Sequence, residues 1–155
     1  MISGIVFWVL ILIVAASFGI GAYRGTKLDA SSKAYVDKNV PVIISTWSEQ
    51  EMLKCASSEF KAVVSSNQSK FDQSWTDFEK LGALKSYDGS KGQSYQNASF
   101  FTGKKHKNGY EVTAEYVAEA RFQNGSVEIS VDLTRENGDW KIYGFHVNSP
   151  SSQKN

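Results

Sequence analysis

Residues 110–147 read YEVTAEYVAEARFQNGSVEISVDLTRENGDWKIYGFHV, and the period of this stretch decides the fold. Tyr110, Val112, Ala114, Tyr116, Ala118, Ala120 and Phe122 occupy one set of alternate positions, and Glu111, Thr113, Glu115, Glu119 and Arg121 occupy the other. Strand side chains alternate between two faces, so this is a long strand with one buried and one wetted face, the habit of antiparallel sheets. Asn124-Gly125 and Asn137-Gly138 supply two-residue hairpin turns, and Asn108-Gly109 is a third site of the same kind.

These turns predict a register. Closure at Asn124-Gly125 sets Phe122 opposite Val127, Ala120 opposite Ile129, Ala118 opposite Val131 and Tyr116 opposite Leu133, apolar against apolar throughout. Closure at Asn137-Gly138 sets Leu133 opposite Ile142 and Arg135 opposite Trp140. Continued without a break, this register turns His146 to the core and leaves Tyr143, Phe145 and Val147 outside. Two arrangements resolve so apolar an outer face. A bulge at Gly144, the favoured one, returns Phe145 and Val147 inward; otherwise the face is covered by a helix, a pocket edge or a partner, with Tyr143, Phe145 and Val147 as the partner surface.

Upstream the period is helical. Val36, Val40, Ile43 and Trp47 form one stripe, interrupted by Pro41, where the helix is expected to kink or restart. Ser48 and Glu51 have capping-box spacing, with Trp47 and Met52 placed as a hydrophobic staple, so a short helix is predicted over about 49–57, burying Met52, Leu53, Ala56 and Phe60. Phe71, Trp75, Phe78 and Leu81 mark a third helix, ended by Gly82. A further strand is expected over 93–102, with Tyr95, Phe100 and Phe101, before a lysine-bearing loop at 103–109. The polar tail 149–155 is expected to be disordered. Helices followed by a four-stranded meander give an α+β fold, with helices packed on one face of a curved antiparallel sheet.

The order of elements, the Trp47-Ser48-Glu49 break and the closing segment from Asn137 to Val147 (Asn-Gly-Asp-Trp-Lys-Ile-Tyr-Gly-Phe-His-Val) resemble the cystatin-like or NTF2-like superfamily over Ser31–Ser149. The closing motif is similar to the last strand of uncharacterised membrane-tethered bacterial domains of this class. The resemblance implies helices lying in the concave face of the sheet, with a cone between them that enzymatic members line with a carboxylate and a tyrosine. Here the core-facing positions are apolar or Tyr, while Glu111, Glu115, Glu119, Glu128 and Asp132 alternate outward, so no buried carboxylate pair is in place for acid–base chemistry. Tyr95, Tyr116, Trp140 and His146 are the candidate lining of a ligand pocket in that cone. Neither His106, among lysines, nor His146 has metal-ligand spacing. The reading therefore includes no catalytic residue, metal or cofactor.

The first 22 residues carry no charged side chain and include the apolar run Ile5–Ala16. A helix over residues 2–22 is about 30 Å long, the thickness of a bilayer's hydrocarbon. With no Lys or Arg ahead of Ile2, an uncleaved anchor is preferred to a cleaved signal peptide, although small residues that could serve a cleavage site are present. Ala15 with Gly19 and Ser17 with Gly21 have the small-xxx-small spacing that lets membrane helices approach. The expected organisation is an anchor over 1–24, one domain over 25–148 and the tail.

Arg24, Lys27 and Lys33 beyond the anchor favour a cytoplasmic domain, but long domains translocate regardless of flanking charge. The layout is that of a single-pass bacterial inner-membrane protein with its domain in the periplasm. The net charge of +1 argues against nucleic acid. The single cysteine, Cys55, forms no intramolecular disulfide, and the three Asn-x-Ser sequons at Asn67, Asn97 and Asn124 are read as compositional coincidence. The expectation is a non-enzymatic protein that meets the bilayer through residues 2–22 and binds a protein partner or a second copy of itself. The alternative is a domain that holds a small ligand between helices and sheet.

Overall fold

A computed structural model describes residues 27–98 and 110–148. The expected anchor, with Ala15, Ser17, Gly19 and Gly21, the Phe100–Thr102 end of the first strand, the lysine-bearing loop and the tail lie outside those residues. No helix among the described residues is long and apolar enough to cross a membrane. The described chain is α+β: helices α1 (27–46), α2 (Glu49–Cys55), α3 (Ser58–Ser66) and α4 (Gln68–Glu79), then strands β1 (Leu84–Ala98), β2 (Tyr110–Phe122), β3 (Gly125–Glu136) and β4 (Asp139–Asn148). The strands form one open antiparallel sheet in the order β1-β2-β3-β4.

Helix α1 buries Val36, Val40, Ile43 and Ile44 in the same core as Ala114, Tyr116, Ala120, Ile129, Val131, Leu133 and Ile142 from the sheet. It runs unbroken through Pro41, where the sequence predicts a kink or restart. An interior proline costs about 3 kcal/mol. Burying each of the four flanking aliphatic side chains, all at most 1 % exposed, is worth about 1.5–3 kcal/mol, so packing outweighs the lost helical bond. The helix stops at Trp47, which takes φ 46°, while the Ser48 amide reaches back to the Ile43 carbonyl at 3.2 Å. That is a Schellman ending with tryptophan in the place usually held by glycine. The left-handed backbone is held because the Trp47 ring lies 4.9 Å from Phe78 and 5.4 Å from Phe122, with Trp75 edge-on at 5.7 Å.

Half of the capping box forms. Ser48 Oγ accepts from the Glu51 amide, but the Glu51 carboxylate turns to Lys54. Met52 and Ala56 are buried as expected, Leu53 and Phe60 only in part. Helix α3 is an element the sequence reading does not contain; Ser57 caps it by accepting from the Phe60 amide at 3.1 Å. Gly82 ends the α4 segment at φ 78°, as its position predicts.

The β3–β4 hairpin has the predicted register: Asn137 (φ 54°) and Gly138 (φ 92°) form the turn, with Arg135 opposite Trp140 and Leu133 opposite Ile142. A bulge then lies at Tyr143, since Asp132 faces Gly144 and Val131 faces Phe145. Phe145 and Val147 accordingly turn inward and pack on the core. They are not an outer partner surface; of that trio Tyr143 alone is exposed.

The β2–β3 hairpin corrects the predicted register. Phe122 pairs with Gly125, Ala120 with Val127, Ala118 with Ile129 and Tyr116 with Val131, so the loop is Gln123-Asn124. The offset is two residues, so every side chain keeps its face. The cause is tertiary. The amides of Gln123 and Asn124 donate to the carbonyls of Ala83 and Leu81, each at 2.9 Å, and the Asn124 side chain donates to Lys80. Neither Asn124 nor Gly125 adopts the positive φ that a type I′ turn requires.

Strand β1 begins nine residues before the predicted start, in a stretch rich in Ser and Gly. Gly92 faces Tyr116 there, and a Cβ at Gly92 would sit 1.9 Å from the Glu115 carbonyl oxygen. Gly92→Ala is therefore expected to force β1 away from β2 and lower stability by about 1–3 kcal/mol. Thermal melting checks this, and an unchanged midpoint would show that the strands are not so close.

Candidate functional site

The side chains expected to line one pocket are divided between the two faces of the sheet. Tyr116 lies on the helix-facing side of the sheet and is 2 % exposed; its hydroxyl is 2.8 Å from Ser32 Oγ and donates to the Asp29 carbonyl at 3.1 Å. Burial raises the pKa of this hydroxyl, only partly countered by Ser32. Around it α1 and the sheet are packed on one another, and the side chain acts as a tie between them. Trp140 is also buried on the helix side, its indole donating to Ser31 Oγ at 2.9 Å. Tyr95 and His146 lie on the opposite face and are exposed.

On that outer face, register sets two rows across the sheet: Gln93, Glu115, Asp132 and Gly144, then Lys91, Val117, Ser130 and His146. Beside these rows lies an open hollow of about 630 Å³ lined by Lys91, Gly92, Gln93, Tyr95, Glu115, Tyr116, Val117, Ser130 and Asp132, so Tyr95 and Tyr116 of the expected pocket residues both border it, while Trp140 and His146 do not. Gly144 leaves room for Asp132 at the bulge, since a Cβ there would come within 2.4 Å of its carboxylate. Ser130, His146 and Asp132 are the residue types of a nucleophile relay, but the His146 ring nitrogen stands 3.9 Å from Asp132, beyond hydrogen-bond length, and no bond joins it to Ser130. Among the described residues no group of three His, Cys, Asp or Glu side chains converges as metal ligands would. What the hollow offers is a mixed polar surface with two large exposed side chains, Tyr95 and Val117.

A second concavity, about 550 Å³, lies between α1 and the β3–β4 hairpin. It is lined by Ser31, Ala34, Tyr35 and Lys38 on one side and Arg135 and Gly138–Lys141 on the other.

Both sheet edges are engaged by the helical layer. On β1, Asp37 accepts from the Ser90 amide at 2.7 Å and from the Tyr87 hydroxyl at 3.1 Å, while Asp29 accepts from the Ser94 amide at 2.7 Å and from the Ser94 hydroxyl. On β4, Ala56 forms a parallel bridge with Ile142, and the Ser57 amide donates to the Ile142 carbonyl at 2.7 Å. Glu136 holds the start of α3 by accepting from the amide and hydroxyl of Ser58, bonds that keep its carboxyl below the usual range. Asp29, Asp37, Lys91 and Asp132 carry no sequence signal beyond their charge; only the pairing of distant elements gives them their places.

No protein-family model, no curated protein and no solved structure matches this chain.

Burial pushes the Asp37 carboxyl up, but bonds from Lys33, Ser90 and Tyr87 outweigh it and hold the pKa below its ordinary value. A carboxyl with a depressed folded pKa contributes stability at pH values above its unfolded pKa, and this is lost as pH falls through the folded one. Asp37→Asn is thus expected to cost about 1 kcal/mol at pH 7, the lower end for bonds to a partly exposed charge. In melts across the acid range that deficit should shrink; a deficit independent of pH would contradict the assignment.

Proposed function

We propose that this chain is a single-pass membrane protein, anchored by residues 2–22, whose NTF2-like or cystatin-like domain projects from a bacterial inner membrane into the periplasm. There it binds a protein partner in an envelope complex without catalysing a reaction. The observation that carries the reading is the contrast between the two faces of the sheet. The helix-facing side, where a ligand-binding member would keep its cone, is filled by Val36, Val40, Ile43, Met52, Tyr116 and Leu133. The outer side presents a broad hollow beside Tyr95 and Val117.

The engaged edges add to this. A partner that joins a sheet by strand addition needs free edge amides, and those of Ser90 and Ser94 are already bonded to Asp37 and Asp29. Docking onto the outer face remains open.

Crosslinking in native membranes, followed by detergent solubilisation and sizing, tests the partner. A discrete adduct is expected, and it should be lost in Val117→Lys and Tyr95→Ser, exposed substitutions that should leave stability within about 0.5 kcal/mol. A strictly monomeric species whose melting shifts with a small ligand would overturn the reading. For orientation, an alkaline phosphatase fused after Asn155 should be active; an inactive fusion that is nonetheless made at normal levels would move the domain to the cytoplasm.

A further inference from the structure

The groove between α1 and the β3–β4 hairpin gathers three cations. Lys38, Arg135 and Lys141 line it against a single carboxylate, Asp139. Neither Lys38 nor Lys141 makes a hydrogen bond or close ion pair with any described residue, although Lys141 is near enough to the Glu136 carboxylate to lower its pKa. Arg135 is oriented in advance. Its guanidinium lies 5.3 Å from the centre of the Trp140 ring and donates to the Gly138 carbonyl, and Trp140 is itself fixed by Ser31. A guanidinium fork so held, with two ammonium groups lining the same groove, is the kind of donor set that phosphate oxygens take.

The groove also has a definite place in the fold. Lys27 and Leu28 share a recess with Gln96 and Val112, which puts the start of the described part of α1 at the β1–β2 end of the sheet. Thr113 pairs with Thr134, so the Asn137-Gly138 turn belongs to that same end. Five residue steps separate Ala22 from Lys27, at most about 18 Å of chain.

We propose that this groove binds the phosphate of an acidic phospholipid headgroup. The proposal rests on the reading of residues 2–22 as a membrane span, because that tether is what makes headgroups the anions delivered to this end of the domain. Acidic lipid surfaces attract juxtamembrane basic side chains at a factor of about fivefold each.

The test uses the full chain in nonionic detergent, with the Trp140 indole N–H followed by NMR and assigned through Trp140→Phe. Adding short-chain phosphatidylglycerol is expected to shift this signal saturably, phosphatidylcholine of the same chain length much less, and inorganic phosphate only at far higher concentration. Lys38→Gln and Lys141→Gln, neither of which breaks a bond in the fold, should each weaken the phosphatidylglycerol response about fivefold. The proposal is overturned by no response to phosphatidylglycerol, by equal responses to the two lipids, or by a response to inorganic phosphate without one to lipid. Tighter binding of a polyglutamate peptide would likewise overturn it, in favour of an acidic protein ligand. Alkaline carbonate extraction of native membranes reports the anchor separately: release of the chain would remove the tether, whereas failure of the micelle titration with the chain retained would remove the groove.

Discussion

Two carboxylates on one helix and two amides on one strand hold the layers of this domain together. Asp29 and Asp37 lie eight residues apart on α1, and the amides they accept, Ser94 and Ser90, lie four apart on β1. Eight helical residues rise about 12 Å and four strand residues about 13 Å, so the two elements run antiparallel with matching spacing. The pairing fixes α1 in translation along the sheet. From that follow the burial of Val36, Val40 and Ile43, the reach of the Tyr116 hydroxyl to Ser32, and the closure of an edge that would otherwise invite a foreign strand. It also accounts for the composition of β1. Where the neighbouring helix presents carboxylates, Ser90, Gly92 and Ser94 suit the space and aliphatic side chains would not.

How much of this is legible in the sequence depends on whether the controlling interactions are local. The Asn137-Gly138 turn is set by its own two residues, and its register follows the residue pattern down to Leu133 and Ile142. Asn124-Gly125 has the same local chemistry, yet the loop moves one residue back and the register shifts by two, because the carbonyls of Leu81 and Ala83 recruit the Gln123 and Asn124 amides from a distant part of the chain. Pro41 is the same lesson for helices, with long-range packing overriding a local breaker. The first part of β1 and helix α3 are missed for a related reason. The first part of β1 has no apolar period of its own and is held by Asp29 and Asp37; α3 carries only a short apolar set, Phe60, Val63 and Val64, of which Val63 is exposed, and is held by Ser57 and Glu136.

The candidate site was legible only in fragments. The sequence correctly marks Tyr143–Val147 as a stretch whose alternation fails, and the bulge is the structural answer, with Gly144 making room for Asp132. It does not reveal that Tyr116 and Trp140 are consumed in tying α1 to the sheet, while Tyr95 and His146 face the other way, because that division depends on which side of the sheet the helix covers. Cys55 is half-buried, its thiol pKa raised by burial, and its carbonyl accepts from the Tyr35 hydroxyl at 3.2 Å. In the proposed reading, the outer hollow meets a partner and the basic groove meets the bilayer.

The most direct test of the carboxylate-to-edge pairing is amide hydrogen exchange at Ser90 and Ser94 in the full chain at neutral pH. Both belong to an edge strand that has no partner strand on that side among the described residues. Protection comparable to that of Ile129, in a strand paired on both sides, is the predicted result. Exchange as fast as that of unbonded edge amides would show that Asp29 and Asp37 do not hold the helix to the sheet, and the account built on them would fail.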